Sequence, residues 1–204
     1  GLRLESPDGG SVLDLPVVDH PSQISWTADD LVLLATKTQD SAAALDALAS
    51  VAPPQTPIFC VQNGVANERM ALRHFAEVYG VFVWCPTGYL TPGVVQAWCA
   101  PTTGILDVGR YPIGSHPLAE TVAAAFRSSS FRAEARDDIM RWKYRKLLLN
   151  LGNAVEALCG SAARGTGIVS EARREAVECL RAAGIAFVSD EDESVRREGQ
   201  VVPR

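Results

Sequence analysis

Hydrophobic residues along this chain change texture part-way: short unbroken runs come first, and helical spacing takes over near residue 137. Residues 31–36 read Leu-Val-Leu-Leu-Ala-Thr after Asp29-Asp30. An apolar run without alternation suits a parallel strand covered on both faces. Residues 41–51 carry Leu45, Leu48 and Val51 at helical spacing, and Pro53-Pro54 stops that helix. Ile58-Phe59-Cys60-Val61 is a second buried strand, ended by Gln62-Asn63-Gly64, and 68–76 reads as the next helix. This strand–helix alternation predicts an α/β fold with a doubly wound sheet.

Three shorter runs follow, at 78–84, 94–99 and 105–108, separated by Thr-Pro-Gly and Pro-Thr-Thr-Gly turns. They predict a local antiparallel or mixed addition to the sheet. Residues 118–127 are helical, with Leu118, Val122 and Ala125 or Phe126 on one face. From Asp137 onward the pattern is wholly helical. Asp137 or Asp138 can cap a helix running from Ile139 to Leu158, and Gly160 ends it. A second helix covers about 169–183 and closes at Gly184. A boundary near Arg136 therefore divides the chain into 1–136 and 137–204. The stretch 189–204 is polar and reads as a loop or tail, with Asp190-Glu191-Asp192-Glu193 as a solvated charge run rather than a metal site.

Composition narrows the classes. With 47% hydrophobic and 21% charged residues in 204, the chain can bury an ordinary globular core. A net charge of −5 gives no basic footprint for nucleic acid. No apolar run approaches the ~20 residues of a membrane span. Cys60, Cys85, Cys99, Cys159 and Cys179 form an odd set without a C-x-x-C pair or a histidine at metal spacing. They read as reduced core thiols of a cytoplasmic protein, with no metal site. The chain opens on Gly1 rather than Met, and the turn-rich 6–10 follows at once, which reads as the interior of a longer protein.

Three features could carry chemistry. Lys146, Asn150 and Asn153 fall at i, i+4 and i+7, on one stripe of a helix that is otherwise largely apolar. Buried amides and amines must find partners, so the stripe suggests a polar cleft facing the helix. A solvent-facing stripe on an amphipathic helix fits the same spacing. Lys143 and Arg145 sit about 60° and 100° from Lys146 around the helix and are expected to take no part. Asn63-Gly64 ends a buried strand, where ligands bind in open α/β sheets, although the pair also makes a plain turn. Lys37 stands at the corresponding end of the preceding strand, where a lysine is commonly just solvated.

In order and spacing, the strand ending in Lys37, the strand ending in Gln62-Asn63-Gly64 and the helix reading Trp142-Lys143-Tyr144-Arg145-Lys146-Leu147-Leu148-Leu149-Asn150 resemble the ketopantoate (2-dehydropantoate) reductases. Thr91-Pro92-Gly93-Val94-Val95 and Asp107-Val108-Gly109 resemble the same family. The resemblance implies a partial Rossmann-like domain over 1–136. Residues 137–204 would then be the first helices of an all-helical domain similar to the C-terminal domain of 6-phosphogluconate dehydrogenase. It implies NADPH as cofactor, a small 2-oxo acid as substrate and reduction of ketopantoate to pantoate on the route to coenzyme A. A homodimer is compatible with it, and charge and hydropathy point to no nucleic-acid or membrane partner. Carried over by position, Lys146 matches the general acid. Asn63 matches the asparagine touching nicotinamide and substrate. Lys37 matches a cofactor-contacting lysine, and Tyr89, with Gly88, a segment passing the cofactor. Asn150 matches a substrate-binding asparagine.

Departures accompany the match. The family's second helix asparagine falls on Ala154, and Asn153 lies one residue short of it. No asparagine stands near Ala163-Arg164 to match the further one that some members supply. The glycine-rich fingerprint would precede Gly1, and the late serine and glutamate would follow Arg204. Two alternatives therefore accompany the main reading: a reductase of another branched 2-oxo acid, and a non-catalytic binding or scaffold relative with the same fold.

Overall fold

The computed structural model describes residues 1–198. A hairpin of β1 (Leu2–Ser6) and β2 (Gly9–Leu13) comes first, turning at Gly9, whose φ of +135° few other residues adopt. After β3 (Val32–Leu34), α1 (Thr38–Ala49), β4 (Ile58–Cys60) and α2 (Asn67–Ala71), the chain enters β5 (Val78–Trp84). A second hairpin, β6 (Thr87–Thr91) and β7 (Val94–Ala97), precedes β8 (Gly104–Arg110), α3 (Pro117–Ser128) and the short β9 (Phe131–Arg132). Three helices follow: α4 (Ile139–Cys159), α5 (Gly167–Ala182) and α6 (Asp190–Arg197).

The main sheet has the order β3-β4-β5-β8-β9. β3, β4 and β5 are parallel, β8 runs antiparallel to β5, and β9 lies parallel to β8. Helices cover both faces. On one, Phe59, Tyr79, Val81 and Val108 pack against Val122 and Ala123 of α3, with the Phe59 and Tyr79 rings stacked at 4.4 Å. On the other, Leu34, Ile58 and Val78 meet Leu45 of α1 and Phe75, while Phe82 and Ile105 meet Ile139 and Trp142 of α4. The unbroken run of β4 is buried on both faces. The run over 31–36, expected to be covered likewise, forms the edge strand β3 and leaves Leu31 and Leu33 exposed, because among the described residues no strand or helix closes over that side.

α4 seats directly on this sheet because two glycines make room. Gly80 and Gly109 pair across β5 and β8. An added Cβ on Gly109 would lie 2.2 Å from the Arg136 carbonyl oxygen and 2.6 Å from Ile139 Cβ. One on Gly80 would stand 3.3 Å from Lys143 Cδ and from Glu68 Oε1. The first turns of α4 therefore lie almost on the strand backbone.

The structure departs from the sequence reading at four further places. Residues 94–99 do not extend the main sheet. β7 pairs parallel to β1, with Arg3 opposite Val94, and builds a separate sheet of order β2-β1-β7-β6. The helix expected over 68–76 ends at Ala71, where the backbone tightens and the Arg73 and His74 N–H groups bond to the Met70 and Ala71 carbonyls, dropping Phe75 into the core. The polar stretch from Ser189 is a helix, α6; its part over 199–204 lies outside the described residues. Ser189 caps it by accepting from the Asp192 N–H at 3.0 Å, and acids in its first turn and arginines in its last suit the helix dipole. Within the acidic run, Glu193 is buried rather than solvated. Of the cysteines, Cys60 and Cys99 are buried and Cys85 partly so, but Cys159 and Cys179 are exposed on α4 and α5. Among the described residues no helix is long and apolar enough to cross a membrane, and no side-chain group could hold a metal ion.

Candidate active site

β3 and β4 end side by side, and Gln62 stitches the ends together. Its Nε2 donates to the Thr36 carbonyl at 2.6 Å and to Ser41 Oγ at 2.8 Å, which leaves Oε1 buried without a hydrogen-bond partner. Asn63 follows, exposed, and Gly64 turns the chain at a φ of +88°. Lys37 is exposed at the neighbouring strand end, at the N-cap of α1, with its carbonyl accepting from the Asp40 N–H.

The turn is held from beneath by Lys143. Its Nζ donates to the Gln62 carbonyl at 2.9 Å and reaches the Cys60 carbonyl at 3.4 Å. It also forms an ion pair with Glu68, which has no exposed surface. A groove too tight to admit a water molecule runs along this place, lined by Gln62, Asn63, Gly64, Lys143, Lys146 and the middle of β5. Lys143, expected to be idle, is thus a buried part of the groove's floor. Helical spacing reports angular separation, and the partner that captures Lys143 sits on α2, far away in sequence.

Lys146 lies one short turn further along α4. Its ammonium stands 3.6 Å above the centroid of the Trp84 ring, whose ring also carries the Arg197 guanidinium at 4.3 Å. Burial pushes its pKa down from 10.5 to about 8; Glu193 works against that shift and Arg197 adds to it. Beyond it opens a cavity of about 410 Å³ between α4 and α5, lined by Trp84, Lys146, Asn150, Asn153 and Arg173 among others. The structure therefore brings Lys146, Asn150 and Asn153 to one cavity, while Lys146 also borders the groove at Asn63. Tyr89 lies apart from these places. It is exposed on β6 in the small sheet, and its hydroxyl accepts from the Gly93 N–H at 3.1 Å.

Sequence reasoning passed over Glu68, Lys143, Trp84 and Arg173. A charged residue two positions inside a helix beginning at Asn67, four past Gly64, gave Glu68 no signal of burial. Trp84 reads only as the last residue of a short strand-like run.

The chain as a whole has known counterparts. The model of the ketopantoate reductase PanE/ApbA family matches residues 1–111, more than half of the 204 in the chain. The chain belongs to that family. The family's members are oxidoreductases by name, and similar curated proteins are 2-dehydropantoate 2-reductases. That of Mycobacterium tuberculosis strain H37Rv is 26% identical over 194 residues, covering 89% of this chain and 61% of the relative. That of Pyrococcus horikoshii is 27% identical over 129 residues, covering 63% of this chain and 42% of the relative. The chain thus spans about half the length of these curated relatives. Among solved structures, the PanE/ApbA family ketopantoate reductase from Ralstonia eutropha JMP134 superposes with a TM-score of 0.77 at 26% identity, over 97% of this chain and 66% of that one. A D-mandelate dehydrogenase with NADH and anilino(oxo)acetate superposes with a TM-score of 0.75 at 20% identity, over 96% of this chain and 64% of that one, a likeness of fold alone.

Proposed function

We propose that this chain is part of an NADPH-dependent reductase of 2-oxo acids, with 2-dehydropantoate reduced to pantoate as the first choice of reaction. Residues 1–136 belong to its cofactor domain and 137–204 open its helical substrate domain. The observation that carries the reading is the position of Lys146, which borders both the groove at Asn63 and the cavity holding Asn150 and Asn153. A cofactor at the first and a substrate in the second would meet at this one ammonium.

The residues present offer polar groups suited to a reduced nicotinamide, and the closed groove would have to part at Asn63 to admit one. The groove lies at the carboxyl ends of parallel strands, where open α/β sheets bind ligands. The orphaned Gln62 Oε1 in its lining offers an acceptor for a carboxamide or ribose donor. Asn63 would hold the nicotinamide end, and Lys37 and Tyr89 would contact the cofactor further out. When bound, the cofactor supplies a hydride to the 2-oxo carbon. This chain's own part is electrostatic and acidic. Negative charge develops on the carbonyl oxygen, and the Lys146 ammonium stabilises it and gives up a proton from Nζ. A pKa near 8 suits that task better than an ordinary lysine. Asn150 and Asn153 would fix the substrate's polar groups without adding charge.

The test is a steady-state assay of the intact protein with 2-dehydropantoate and a panel of branched and aromatic 2-oxo acids, with NADPH and NADH in parallel. The expected outcome is the highest kcat/KM for 2-dehydropantoate with NADPH. A higher value for another 2-oxo acid would move the substrate, and no oxidation of either cofactor would defeat the reading.

A further inference from the structure

The cavity between α4 and α5 holds a cation that nothing in the described protein answers. The two helices come close at Gly152, where an added Cβ would sit 3.4 Å from Val169 Cγ1. Arg173 follows Val169 by about one helical turn, so it shares the face turned to α4 and lines the cavity. Its Nε is buried and has no hydrogen-bond partner. The next residue provides the contrast. Arg174 is half exposed and pairs with both Glu171 and Glu178 on the outer face of α5. One helix therefore neutralises its outward arginine and leaves the inward one unmatched. A buried donor on a charged group costs free energy until an acceptor arrives, and charged acceptors gain most. The described lining contains two cations, Lys146 and Arg173, two amides and no carboxylate. Glu193 acts on Lys146 from α6 without lining the cavity. The chemistry left to be supplied is an anion.

We propose that Arg173 is the carboxylate-binding residue of this cavity, receiving the carboxylate of a 2-oxo acid whose keto oxygen faces Lys146. This rests on the reductase reading and divides the two cations by function. A guanidinium keeps its charge at every working pH and presents parallel N–H donors that match a carboxylate. An ammonium with a lowered pKa can release its proton. Arg173 is then a binding residue that contributes to ground state and transition state alike, and its loss falls on KM rather than kcat.

The experiment compares wild type, Arg173→Gln and Arg173→Lys in the intact protein. Substrates are 2-dehydropantoate and its neutral lactone, which keeps the ketone but has no free carboxylate. Losing a charge-assisted bond should raise the KM for the acid in Arg173→Gln about ten- to a hundredfold, with kcat and melting temperature little changed. Arg173→Lys should fall between, and the lactone's KM should be indifferent to all three. Should the Gln variant fail to fold, the Lys variant carries the same acid-to-lactone comparison. An unchanged KM for the acid, or an equal rise for the lactone, overturns the assignment. Calorimetric titration with oxamate, a 2-oxo acid mimic that accepts no hydride, reads binding alone. Arg173-dependent oxamate binding in a protein that reduces no 2-oxo acid would uphold Arg173 and sink the reductase reading. Reduction indifferent to Arg173 would do the reverse.

Discussion

Two lysines three residues apart on α4 are given different work by their surroundings. Lys143 is almost fully buried, paired with an equally buried Glu68 and donating to two strand-end carbonyls. Lys146 is partly buried over the Trp84 ring and opens on the cavity. Removing one member of a buried ion pair strands the other charge and typically costs about 3–5 kcal/mol. Lys143→Ala should therefore lower the melting temperature sharply, whereas Lys146→Ala should leave it close to wild type. Activity should divide the other way. As the proposed general acid, Lys146 should cost ~10²–10⁴-fold in kcat when truncated, with cofactor affinity little altered. The acid is competent only while protonated, so wild-type rate should fall as pH rises through about 8. That limb should vanish in Lys146→Ala. Thermal melts and pH–rate profiles of the two variants check both halves, and a Lys146→Ala enzyme with near-normal kcat would remove Lys146 from the chemistry.

Among elements, the parallel strands and long helices were legible because their signals are local. Ile58-Phe59-Cys60 is apolar without a break, and α4 runs from a residue after Asp138 to a glycine, Gly160, with a positive φ. The stripe of Lys146, Asn150 and Asn153 was legible for the same reason, since spacing on one helix fixes a common face. What escaped depends on distant partners. Val94–Ala97 looked like any short strand, and its neighbour β1 lies at the other end of the sheet-forming sequence. The charge-rich start of α6 looked like solvated chain because its acids were weighed as a run rather than as a capped first turn answered by Arg196 and Arg197. The seat of α4 was only half legible. Asp107-Val108-Gly109 stood out, but the reason lies in the helix above it. With 2.2 Å between an added Cβ and the Arg136 carbonyl oxygen, Gly109→Ala must push the start of α4 off the sheet. Overpacking of this kind costs about 1–3 kcal/mol or more. Gly80→Ala meets its neighbours at 3.3 Å and should be milder. Urea unfolding of both variants tests the order, and Gly80→Ala proving the worse would contradict this account of how α4 is seated.

At the scale of the whole molecule, α6 ties the end of the described chain back to the sheet and so sets the environment of Lys146. Arg196 reaches Asp107 of β8 with two bonds, at 2.9 and 2.5 Å, and Arg136 adds a third to the same carboxylate at 2.8 Å. Arg145 of α4 pairs with Asp190 at the other end of α6. Held there, α6 lays Arg197 over Trp84 and places Glu193 near Lys146. Asp107 has no exposed surface, so these arginines take the place of water around its carboxylate. Losing Arg196 should cost about 3–5 kcal/mol, as for other broken buried pairs, with Arg136 limiting the damage. A second consequence distinguishes a clasp from simple destabilisation. Burial is the main cause of the depressed Lys146 pKa, so a loosened α6 that admits water should let that pKa climb from about 8 towards 10.5. Arg196→Met should therefore melt earlier and, while still folded, show its alkaline rate limb at higher pH than wild type. A lower melting temperature with the limb unmoved would mean that α6 stabilises the fold without tuning Lys146.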